Sequence, residues 1–295
     1  MRLQPDQLAT LLAVVDGGTF EAAARALHVT PSAVSQRVKA LESEVGHVVV
    51  LRASPCRPTP AGEALVRLAR QQALLTAETL AELAPGDGEW VDLPVAVNAD
   101  SVATWFGEVI EACAAWDDIV LRLHVEDQDH SARLLRSGEV LAAVTSDPTP
   151  VQGCTTEPIA VARYVPVVAP ELLARHRTGR RIDWSRLPVV RFNAKDDLQQ
   201  RILDRHGVTT RPPTHEVPDG AGFVTAVAAG LGWGAVLTSQ LAPLLESGAV
   251  MRLGARDHVD VPLHWQRWRL PSAHLDRLGD AVRRAAARHT AHPRP

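Results

Sequence analysis

Apolar side chains recur at helical spacing in two short segments near the N-terminus. In residues 20–27 they occupy the i, i+3, i+4 and i+7 positions of one buried helix face, which are Phe20, Ala23, Ala24 and Leu27. In residues 31–44 a similar stripe is formed by Ala33, Val34, Val38 and Leu41. His28-Val29-Thr30 interrupts the pattern, and Thr30 followed by Pro31 is a favourable helix start. The pattern therefore predicts two helices joined by a tight turn.

The second segment has a polar face opposite its apolar stripe. Two helices joined by a short turn, with polar donors on the N-terminal half of the second, are typical of a helix-turn-helix DNA-binding motif. An ordinary helical hairpin is the alternative. The candidate DNA-binding residues of this motif are Thr30, Pro31, Ser32, Ser35, Gln36, Arg37 and Lys39. Gln36 is suited to adenine and Arg37 to guanine or phosphate, whereas the serines are better suited to phosphate.

A β-branched run at residues 47–52 predicts the first strand of a hairpin. We expect it to pair with residues 57–59 across the turn Ala53-Ser54-Pro55-Cys56, which gives a two-stranded wing. Arg52 and Arg57 on this wing can contact the DNA backbone. The alternative is a structural hairpin whose arginines are only solvated.

A long amphipathic helix is predicted from residue 61 to about residue 83. Its leucines form a helical but imperfect heptad seam, made of Leu65, Leu68, Leu75, Leu80 and Leu83. The helix has no partner within its own domain, so the seam predicts pairing with a second subunit. Such a homodimer would present two helix-turn-helix motifs to two half-sites of DNA. Pro85-Gly86-Asp87-Gly88 ends the pattern and predicts a domain boundary.

Beyond this boundary, β-branched runs alternate with amphipathic segments. Strands are predicted at residues 93–98, 119–127, 140–146, 159–168, 187–192, 214–218, 233–238 and 259–270. Helices are predicted at residues 101–115, 131–137, 196–206, 221–229 and 273–290, and from about residue 170. Strands separated by helices favour parallel sheets. Two such units, joined by the long strands near residues 160 and 264, predict an α/β domain of two lobes with a ligand cleft.

Composition and charge narrow the possible functions. With 46% hydrophobic and 22% charged residues, and without an apolar run near the ~20 residues that span a bilayer, we expect a cytoplasmic protein with no membrane partner. The net charge of −3 argues against bulk nonspecific nucleic-acid binding, so DNA binding depends on where the charges lie. The cysteines, Cys56, Cys113 and Cys154, are too scattered for a metal site and indicate free thiols.

Motifs for catalysis or cofactor binding are missing from the pattern. The run GLGWG at residues 230–234 follows a predicted helix and precedes a strand. That order is the reverse of the dinucleotide-binding fingerprint, so the run predicts a helix end and turn. His124, His215 and His264 are isolated and are interpreted as structural. We therefore expect no enzyme activity, no metal and no cofactor.

The first 60 residues resemble LysR-type transcriptional regulators, and the resemblance then covers the whole chain. Three stretches are similar to the ArgP/LysG branch of that family: AVNADSVATWF (96–106), VEDQDHSARLLRSGEV (125–140) and DVPLHWQRW (260–268). The resemblance implies a winged helix-turn-helix, a linker-helix dimer often assembled into tetramers, and a periplasmic-binding-protein-like α/β effector domain. It also implies control of a lysine/arginine exporter gene by basic amino acids. The chain departs from the family pattern at Leu51, where phenylalanine is usual, and at Thr238, where proline is usual.

Three regions are predicted on this basis. Residues 1–59 form the DNA-binding domain, residues 60–86 the dimerisation linker and residues 91–295 the effector-binding domain. In the effector-binding domain, lobe I is expected at about 91–161 and 266–295, and lobe II at about 162–265.

The strand-to-helix turn Asn98-Ala99-Asp100-Ser101 is the predicted centre of the effector site. Backbone N–H groups at the start of a helix near Ser101 are suited to the α-carboxylate of an amino acid, and the hydroxyls of Ser101 and Thr104 can add donors. The cationic groups of a basic effector need carboxylates, and the acids at predicted strand ends are Asp100, Glu126, Asp127 and Asp219. For each acid the alternative is a helix cap or a solvated loop. Trp105 is interpreted as a core residue that can also wall the pocket.

The main hypothesis is a transcriptional regulator that binds double-stranded promoter DNA. It would activate a basic amino-acid exporter gene when L-lysine or L-arginine binds, with L-histidine as a further candidate. Its expected protein partners are a second copy of the chain, as a homodimer or dimer of dimers, and RNA polymerase. The alternative is an amino-acid-responsive nucleoid or replication-origin-binding protein with mainly nonspecific DNA contacts. Nonspecific binding would weaken steeply with salt and show no preferred site.

Overall fold

The computed structural model describes residues 2–83, 90–125, 128–179, 181–254 and 256–289. The predicted boundary at residues 85–88 and the candidate effector residues Glu126 and Asp127 lie outside the described residues. The helices are α1 Pro5–Gly17, α2 Phe20–Ala26, α3 Pro31–Val45, α4 Pro60–Leu83, α5 Ala99–Val102, α6 Gly107–Ala114, α7 Gln128–Ser137, α8 Pro170–Arg175, α9 Leu198–Arg205, α10 Gly220–Ala228, α11 Leu241–Glu246 and α12 Ala273–His289. The strands are β1 Val50–Leu51, β2 Arg57–Pro58, β3 Val91–Val97, β4 Ile119–Val125, β5 Ala142–Thr145, β6 Cys154–Val168, β7 Arg177–Thr178, β8 Arg181–Ile182, β9 Val189–Arg191, β10 Thr214–Glu216, β11 Gly234–Leu237, β12 Met251–Arg252 and β13 Val259–Trp268.

The chain divides into two compact units. The first unit comprises Met1–Val97, Glu111–Glu157 and Trp265–Asp280, and the second comprises Asn98–Ile110, Pro158–His264 and Ala281–Pro295. β6 and β13, the long strands predicted near residues 160 and 264, are the strands in which the chain passes from one unit to the other.

In the first unit, α1, α2 and α3 share an apolar core with the wing and the start of α4. The buried members are Leu11, Val14, Ala23, Ala24, Val34, Val38, Leu41, Val49, Val50, Cys56 and Val66. Each fully buried aliphatic side chain contributes about 1.5–3 kcal/mol to folding. Thr19 caps α2 by accepting a hydrogen bond from the Ala22 N–H at 3.0 Å, and Thr30 caps α3 by accepting one from Ala33 at 3.2 Å. The predicted pair of helices and the turn between them are confirmed.

The wing is also confirmed, with shorter strands than predicted. β1 and β2 pair antiparallel, with Leu51 opposite Arg57. α4 begins directly after the wing, and a Cβ atom at Gly62 would collide with the carbonyl oxygen of Val49. This close approach requires glycine and fixes the start of α4 against the wing.

α4 buries one face in the first unit and leaves part of its leucine seam exposed. Val66 and Leu74 are buried, whereas Leu68, Leu80 and Leu83 keep 40%, 47% and 76% of their surface accessible. An exposed leucine row on a helix of 24 residues is expected where a second chain packs.

β3 lies at the centre of the sheet of the first unit. It pairs in parallel with β4 along its whole length and with β5 at Val95 and Ala96. α7 connects β4 to β5, as a parallel crossover requires. All but one residue of β3 is buried, which is typical of a parallel strand covered on both faces.

The second unit combines both strand orientations. β9 and β10 are parallel, but β11 and β12 run antiparallel to β6. The expectation of parallel pairing is therefore wrong for β11, and β12 is a strand that the sequence pattern did not predict. α10 ends at Ala228, and Gly230 follows it with φ +78°. The Trp233 N–H donates to the Pro188 carbonyl at 2.9 Å, so the glycine run forms the predicted turn after the helix.

One predicted helix is interrupted. Residues 101–115 were expected to form a continuous helix, but α5 ends at Val102 and α6 begins at Gly107. The Phe106 N–H bonds to the Ser101 carbonyl at 2.8 Å in the intervening turn. Trp105 and Phe106 are both buried there, with ring centroids 5.5 Å apart. Adjacent helical side chains point about 100° apart, so the break allows both rings to enter the core.

Candidate functional site

The exposed face of α3 carries the predicted DNA-binding side chains. Ser32, Gln36 and Lys39 are exposed, while Ser35 and Arg37 are half-buried. The Thr30 hydroxyl is occupied at the helix N-terminus, where it caps α3 and lies 2.9 Å from the Ser32 hydroxyl. Pro31 occupies the first helical turn. Thr30 and Pro31 therefore set the start of the helix, and the exposed donors follow it.

The wing arginines are exposed at different places. Arg52 follows β1, and its guanidinium lies 4.9 Å from the centroid of the Phe20 ring at the start of α2. This cation–π contact orients Arg52 without neutralising its charge. Arg57 is exposed within β2. Both arginines are exposed on the wing.

A cavity of about 240 Å³ in the second unit brings four of the predicted effector residues together. These residues are Asn98, Asp100, Ser101 and Thr104. We call this space the Asp100 cavity, and its other lining residues are Trp105, Val161, Ala162, Arg163, Tyr164, Leu237, Thr238, Ser239, Leu263 and His289. Trp105 is thus a core residue that also walls the pocket. Among the described residues, no hydrogen-bond partner reaches the buried Oδ1 atom of Asn98.

Asp100 is paired with a tyrosine from β6. The Tyr164 hydroxyl donates a hydrogen bond to Oδ2 of Asp100 at 2.6 Å. Burial raises the pKa of Asp100; the hydrogen bond from Tyr164 opposes that rise, and the charge of Asp196 adds to it. The pKa of Tyr164 is raised well above its ordinary value, first by burial and then by the charge of Asp100. The site therefore holds an acid in surroundings that disfavour its negative charge.

The sequence patterns revealed neither Tyr164, which lines the cavity, nor Asp196, whose charge helps to raise the pKa of Asp100. Asp196 accepts hydrogen bonds from the N–H groups of Phe192 at 2.9 Å and Leu198 at 3.1 Å. Burial raises the pKa of Asp196 in spite of these bonds. Its position at the start of a predicted helix, shortly after a predicted strand, was a usable signal, whereas Tyr164 gave none because it lies within a strand.

Of the remaining predicted effector residues, Glu126 and Asp127 lie outside the described residues and Asp219 is described. Asp219 is exposed and caps α10 by accepting from the Gly222 N–H at 2.6 Å. It is not among the residues that line the Asp100 cavity, although a Cβ atom at the next residue, Gly220, would lie 4.0 Å from that of Ala103. The predicted anion site on a long helix is reduced to the single turn of α5, since that helix ends at Val102.

The part of the chain that the structure describes shows no group of three or more potential metal-binding side chains. All three cysteines are buried and unpaired. Burial raises the pKa of Cys113 to about 11 and that of Cys154 to about 12. These thiols therefore stay protonated and weakly nucleophilic at neutral pH.

Two family models together match most of the chain. Residues 5–63 match the bacterial regulatory helix-turn-helix protein of the lysR family, and residues 92–287 match the LysR substrate binding domain. The chain belongs to the LysR family. LysR-type proteins of this kind are DNA-binding transcriptional regulators and not enzymes.

Relatives of this LysR-type regulator resemble it over nearly their full length. The lysine export transcriptional regulatory protein LysG of Corynebacterium efficiens is 48% identical over 96% of this chain and 98% of its own. The structure of ArgP from Mycobacterium tuberculosis is 44% identical, covers 98% of this chain and 99% of its own, and superimposes with a TM-score of 0.86. Full-length LysG from Corynebacterium glutamicum with bound effector Arg is 44% identical, covers 99% and 100%, and gives a TM-score of 0.81.

These similarities confirm the ArgP/LysG branch and the winged helix-turn-helix with an α/β effector domain. The LysR-type regulator binds DNA through its N-terminal domain and acts as an oligomer. Within the described residues, no helix is long and apolar enough to cross a membrane.

Proposed function

We propose that this LysR-type regulator activates a basic amino-acid exporter gene when L-lysine or L-arginine binds in the Asp100 cavity. L-histidine is a further candidate effector. The relatives named for lysine export and the Arg-bound relative support this choice of ligand class. The alternative of a mainly nonspecific nucleoid or origin-binding protein is not favoured by these relatives.

The proposal depends on the surroundings of the Asp100 carboxylate. Its carboxylate is partly buried and hydrogen-bonded by Tyr164, and burial raises its pKa. A cation placed beside it would compensate the cost of burying the charge, because opposite charges attract more strongly away from water. An ammonium or guanidinium group therefore gains more at this position than a neutral side chain would.

Polar groups around Asp100 suit the other groups of an amino acid. The buried Asn98 oxygen can accept a hydrogen bond from an ammonium group. The Ser101 hydroxyl can donate to the α-carboxylate, whereas Thr104 already donates to the Asp100 carbonyl at 2.6 Å. Asp196 adds a second, half-buried carboxylate whose charge acts on Asp100. We propose three further acids that would contact the cationic groups of the effector: Glu126, Asp127 and Asp219.

Calorimetric titration tests the ligand class. L-Lysine, L-arginine, L-histidine and L-leucine are titrated into the full-length protein and into Asp100→Asn, with Asp117→Asn as the control at an exposed aspartate. We expect saturable binding of basic amino acids but not of leucine. Loss of the buried charge partner should weaken binding roughly tenfold or more. Binding of leucine, or unchanged affinity in Asp100→Asn, would contradict the proposal.

For DNA, we propose that a homodimer contacts the major groove through α3 and the phosphate backbone through the wing. The residues are Thr30, Pro31, Ser32, Ser35, Gln36, Arg37 and Lys39 in the groove, and Arg52 and Arg57 on the backbone.

We propose three regions for the chain: the DNA-binding domain at residues 1–59, the linker at 60–86 and the effector-binding domain at 91–295. Lobe I of the effector-binding domain would comprise 91–161 and 266–295, and lobe II would comprise 162–265. A dimer of dimers that contacts RNA polymerase in the cytoplasm completes the proposal. Specific retention of the protein's own upstream or exporter-promoter DNA at moderate salt would support it, and salt-sensitive binding without a preferred site would contradict it.

A further inference from the structure

A two-stranded hairpin of the second unit, formed by β7 and β8, carries a concentration of positive charge. Four exposed arginines lie on it or directly beside it, and we call them the hairpin arginines: Arg175, Arg177, Arg181 and Arg186. Asp183 is the only acid in the sequence between residues 175 and 186. The segment is therefore strongly cationic in a chain whose net charge is −3.

The charge of the hairpin arginines is not neutralised within the described part of the chain, where none of the four forms an ion pair. Other exposed arginines of the same unit do have carboxylate partners. Arg163 is paired with Asp260 at 2.7 Å, and Arg201 with Asp197 at 2.9 Å. An exposed cationic surface without such partners attracts an anionic partner by its electrostatic field.

The register of the hairpin places arginines on both of its faces. Arg177 lies opposite Ile182, and Thr178 lies opposite Arg181. Residues directly opposite one another in an antiparallel pair lie on the same face, and successive residues of a strand alternate between faces. Arg177 and Arg181 therefore lie on opposite faces, and both are exposed. The hairpin thus presents positive charge on two sides.

The base of the hairpin is fixed to the second unit by aromatic packing. Trp184 follows β8, and its ring stacks on that of His206 with the centroids 4.4 Å apart. It also meets the fully buried ring of Trp233 edge-on at 5.4 Å. Leu187, three residues further along the chain, is fully buried. A fixed base reduces the entropy that is lost when the arginines are ordered against a partner.

Double-stranded DNA fits this arrangement of charge. Its phosphates line both walls of each groove, and the major groove admits a two-stranded β-ribbon. Arginine binds phosphate through its forked donors. A ribbon with arginines on both faces can meet both walls, whereas an acidic protein segment packed on one face would leave the other face unpaired.

The charge of the N-terminal domain also favours DNA as the partner. Residues 1–59 hold six arginine and lysine residues against five acids, which is a small positive excess for a DNA-binding domain. Each additional phosphate contact releases counterions and raises the affinity for DNA. Contacts from a second cationic element would therefore add to the binding by α3 and the wing.

We infer that the β7–β8 hairpin is a second DNA-contacting element of this LysR-type regulator. Arg177 and Arg181 contact phosphates on the two walls of a groove, and Arg175 and Arg186 strengthen the positive field beside them. Phosphate contacts carry no sequence information, so the hairpin contributes affinity and not specificity. The inference needs no effector and is independent of ligand binding in the Asp100 cavity.

The test measures the salt dependence of DNA binding in full-length variants. Arg177→Gln and Arg181→Gln are made singly and together. The control combines Arg211→Gln with Arg252→Gln, which removes the same charge from exposed positions of the second unit outside the hairpin. Fluorescence anisotropy over a series of salt concentrations gives the affinity for the protein's own upstream DNA and for a scrambled duplex of the same length.

We expect each single variant to reduce the slope of log affinity against log salt concentration by about 0.9, and the double variant to reduce it by about 1.8. The affinity should fall by the same factor on both duplexes, because only phosphate contacts are lost. The control should keep the slope of the parent protein. Arg177→Lys combined with Arg181→Lys keeps both charges and should also keep the slope, since the slope counts neutralised phosphates.

A second measurement needs no variant and applies even if the glutamine variants do not fold. Phenylglyoxal modifies exposed arginines, and mass spectrometry locates the modified residues. In the parent protein, saturating duplex DNA should protect Arg177 and Arg181 from modification, while Arg211 and Arg252 stay reactive. Equal reactivity of Arg177 and Arg181 with and without DNA would overturn the inference.

The anisotropy outcomes are equally decisive. A parental slope and affinity in the double variant would overturn the DNA contact and point to an acidic protein segment instead. A loss in only one of the single variants would overturn the placement of arginines on both walls of a groove. All hairpin variants should bind L-arginine with the parent's calorimetric affinity. If the parent binds no basic amino acid, the proposed effector fails, but the prediction for the hairpin is unaffected.

Discussion

At the scale of single residues, the partly buried surroundings of Asp100 disfavour the ionised form of its carboxyl group. Burial raises the pKa of Asp100 above the ordinary value of 3.8. The folded state therefore binds the proton more tightly than the unfolded state does. Stability consequently falls as the pH rises from 3.8 through the folded pKa, and it stays lower above that point.

Asp100→Asn should therefore raise the free energy of unfolding at pH 7 while it weakens effector binding. The gain should shrink as the pH falls through the folded pKa and vanish below 3.8, where Asp100 is protonated in both states. The pKa of Asp118 is shifted in the opposite direction. Burial raises this pKa, but contacts with Arg277 and His274 lower it by more. Asp118→Asn should therefore reduce the free energy of unfolding at pH 7. Denaturant unfolding of both variants from pH 3 to 7 checks the two signs. A loss of stability in Asp100→Asn at pH 7 would contradict this account.

The exposed face of α3 allows base contacts and phosphate contacts to be separated. We expect Gln36→Ala to cost about 1–3 kcal/mol at the preferred site and to reduce discrimination between sequences. Lys39→Ala should weaken binding to all sequences and reduce the salt slope by about one. Fluorescence anisotropy on specific and scrambled DNA over a range of salt concentrations measures both effects. Equal losses on both DNAs in Gln36→Ala would assign that residue to the backbone instead.

At the scale of elements, the junction between wing and linker depends on the missing side chain of Gly62. A Cβ atom there would collide with the Val49 carbonyl oxygen, so Gly62→Ala should destabilise the N-terminal domain by about 1–3 kcal/mol. Gly107 begins α6, and a Cβ atom there would have no neighbour within 4 Å among the described residues. Gly107→Ala is therefore the control and should be neutral or stabilising by up to about 1 kcal/mol. Thermal unfolding of the two variants measures the difference. Equal effects would show that the close approach at Gly62 does not matter.

At the scale of the whole molecule, the leucine seam of α4 is partly exposed, and we expect a second chain to cover it. Leu68 and Leu80 are 40% and 47% exposed, which is costly on a helix unless another helix covers it. A charge at the seam, in Leu80→Lys, should weaken self-association, while Thr79→Lys adds the same charge at the exposed residue beside it. Sedimentation velocity at several concentrations measures the association. An unchanged dimer in Leu80→Lys would place the interface elsewhere.

Local chemistry allowed much of the fold to be predicted. Thr19 and Thr30 cap helices, and Gly46 with φ +73° ends α3. These devices act within a few residues, so they are visible in the sequence. The interrupted helix at residues 103–106 was not, because burial of Trp105 and Phe106 depends on neighbours that are distant in sequence.

The sequence by itself determined the helix-turn-helix, the long linker helix, the alternation of strands and helices, and the family. It also pointed to Asp100, since polar residues at strand ends collect at one edge of a sheet. Only the tertiary structure decided which groups meet: Tyr164 reaches Asp100 from 64 residues away, and Ser272 reaches Glu78 from 194 residues away. Such contacts form when segments that are distant in sequence pack together, and the sequence around one side chain does not reveal its partner. Hydrophobic periodicity and helix caps depend on interactions within one helix or strand, so they can be read from the sequence. A binding site or a contact between helices depends on how several helices and strands pack together.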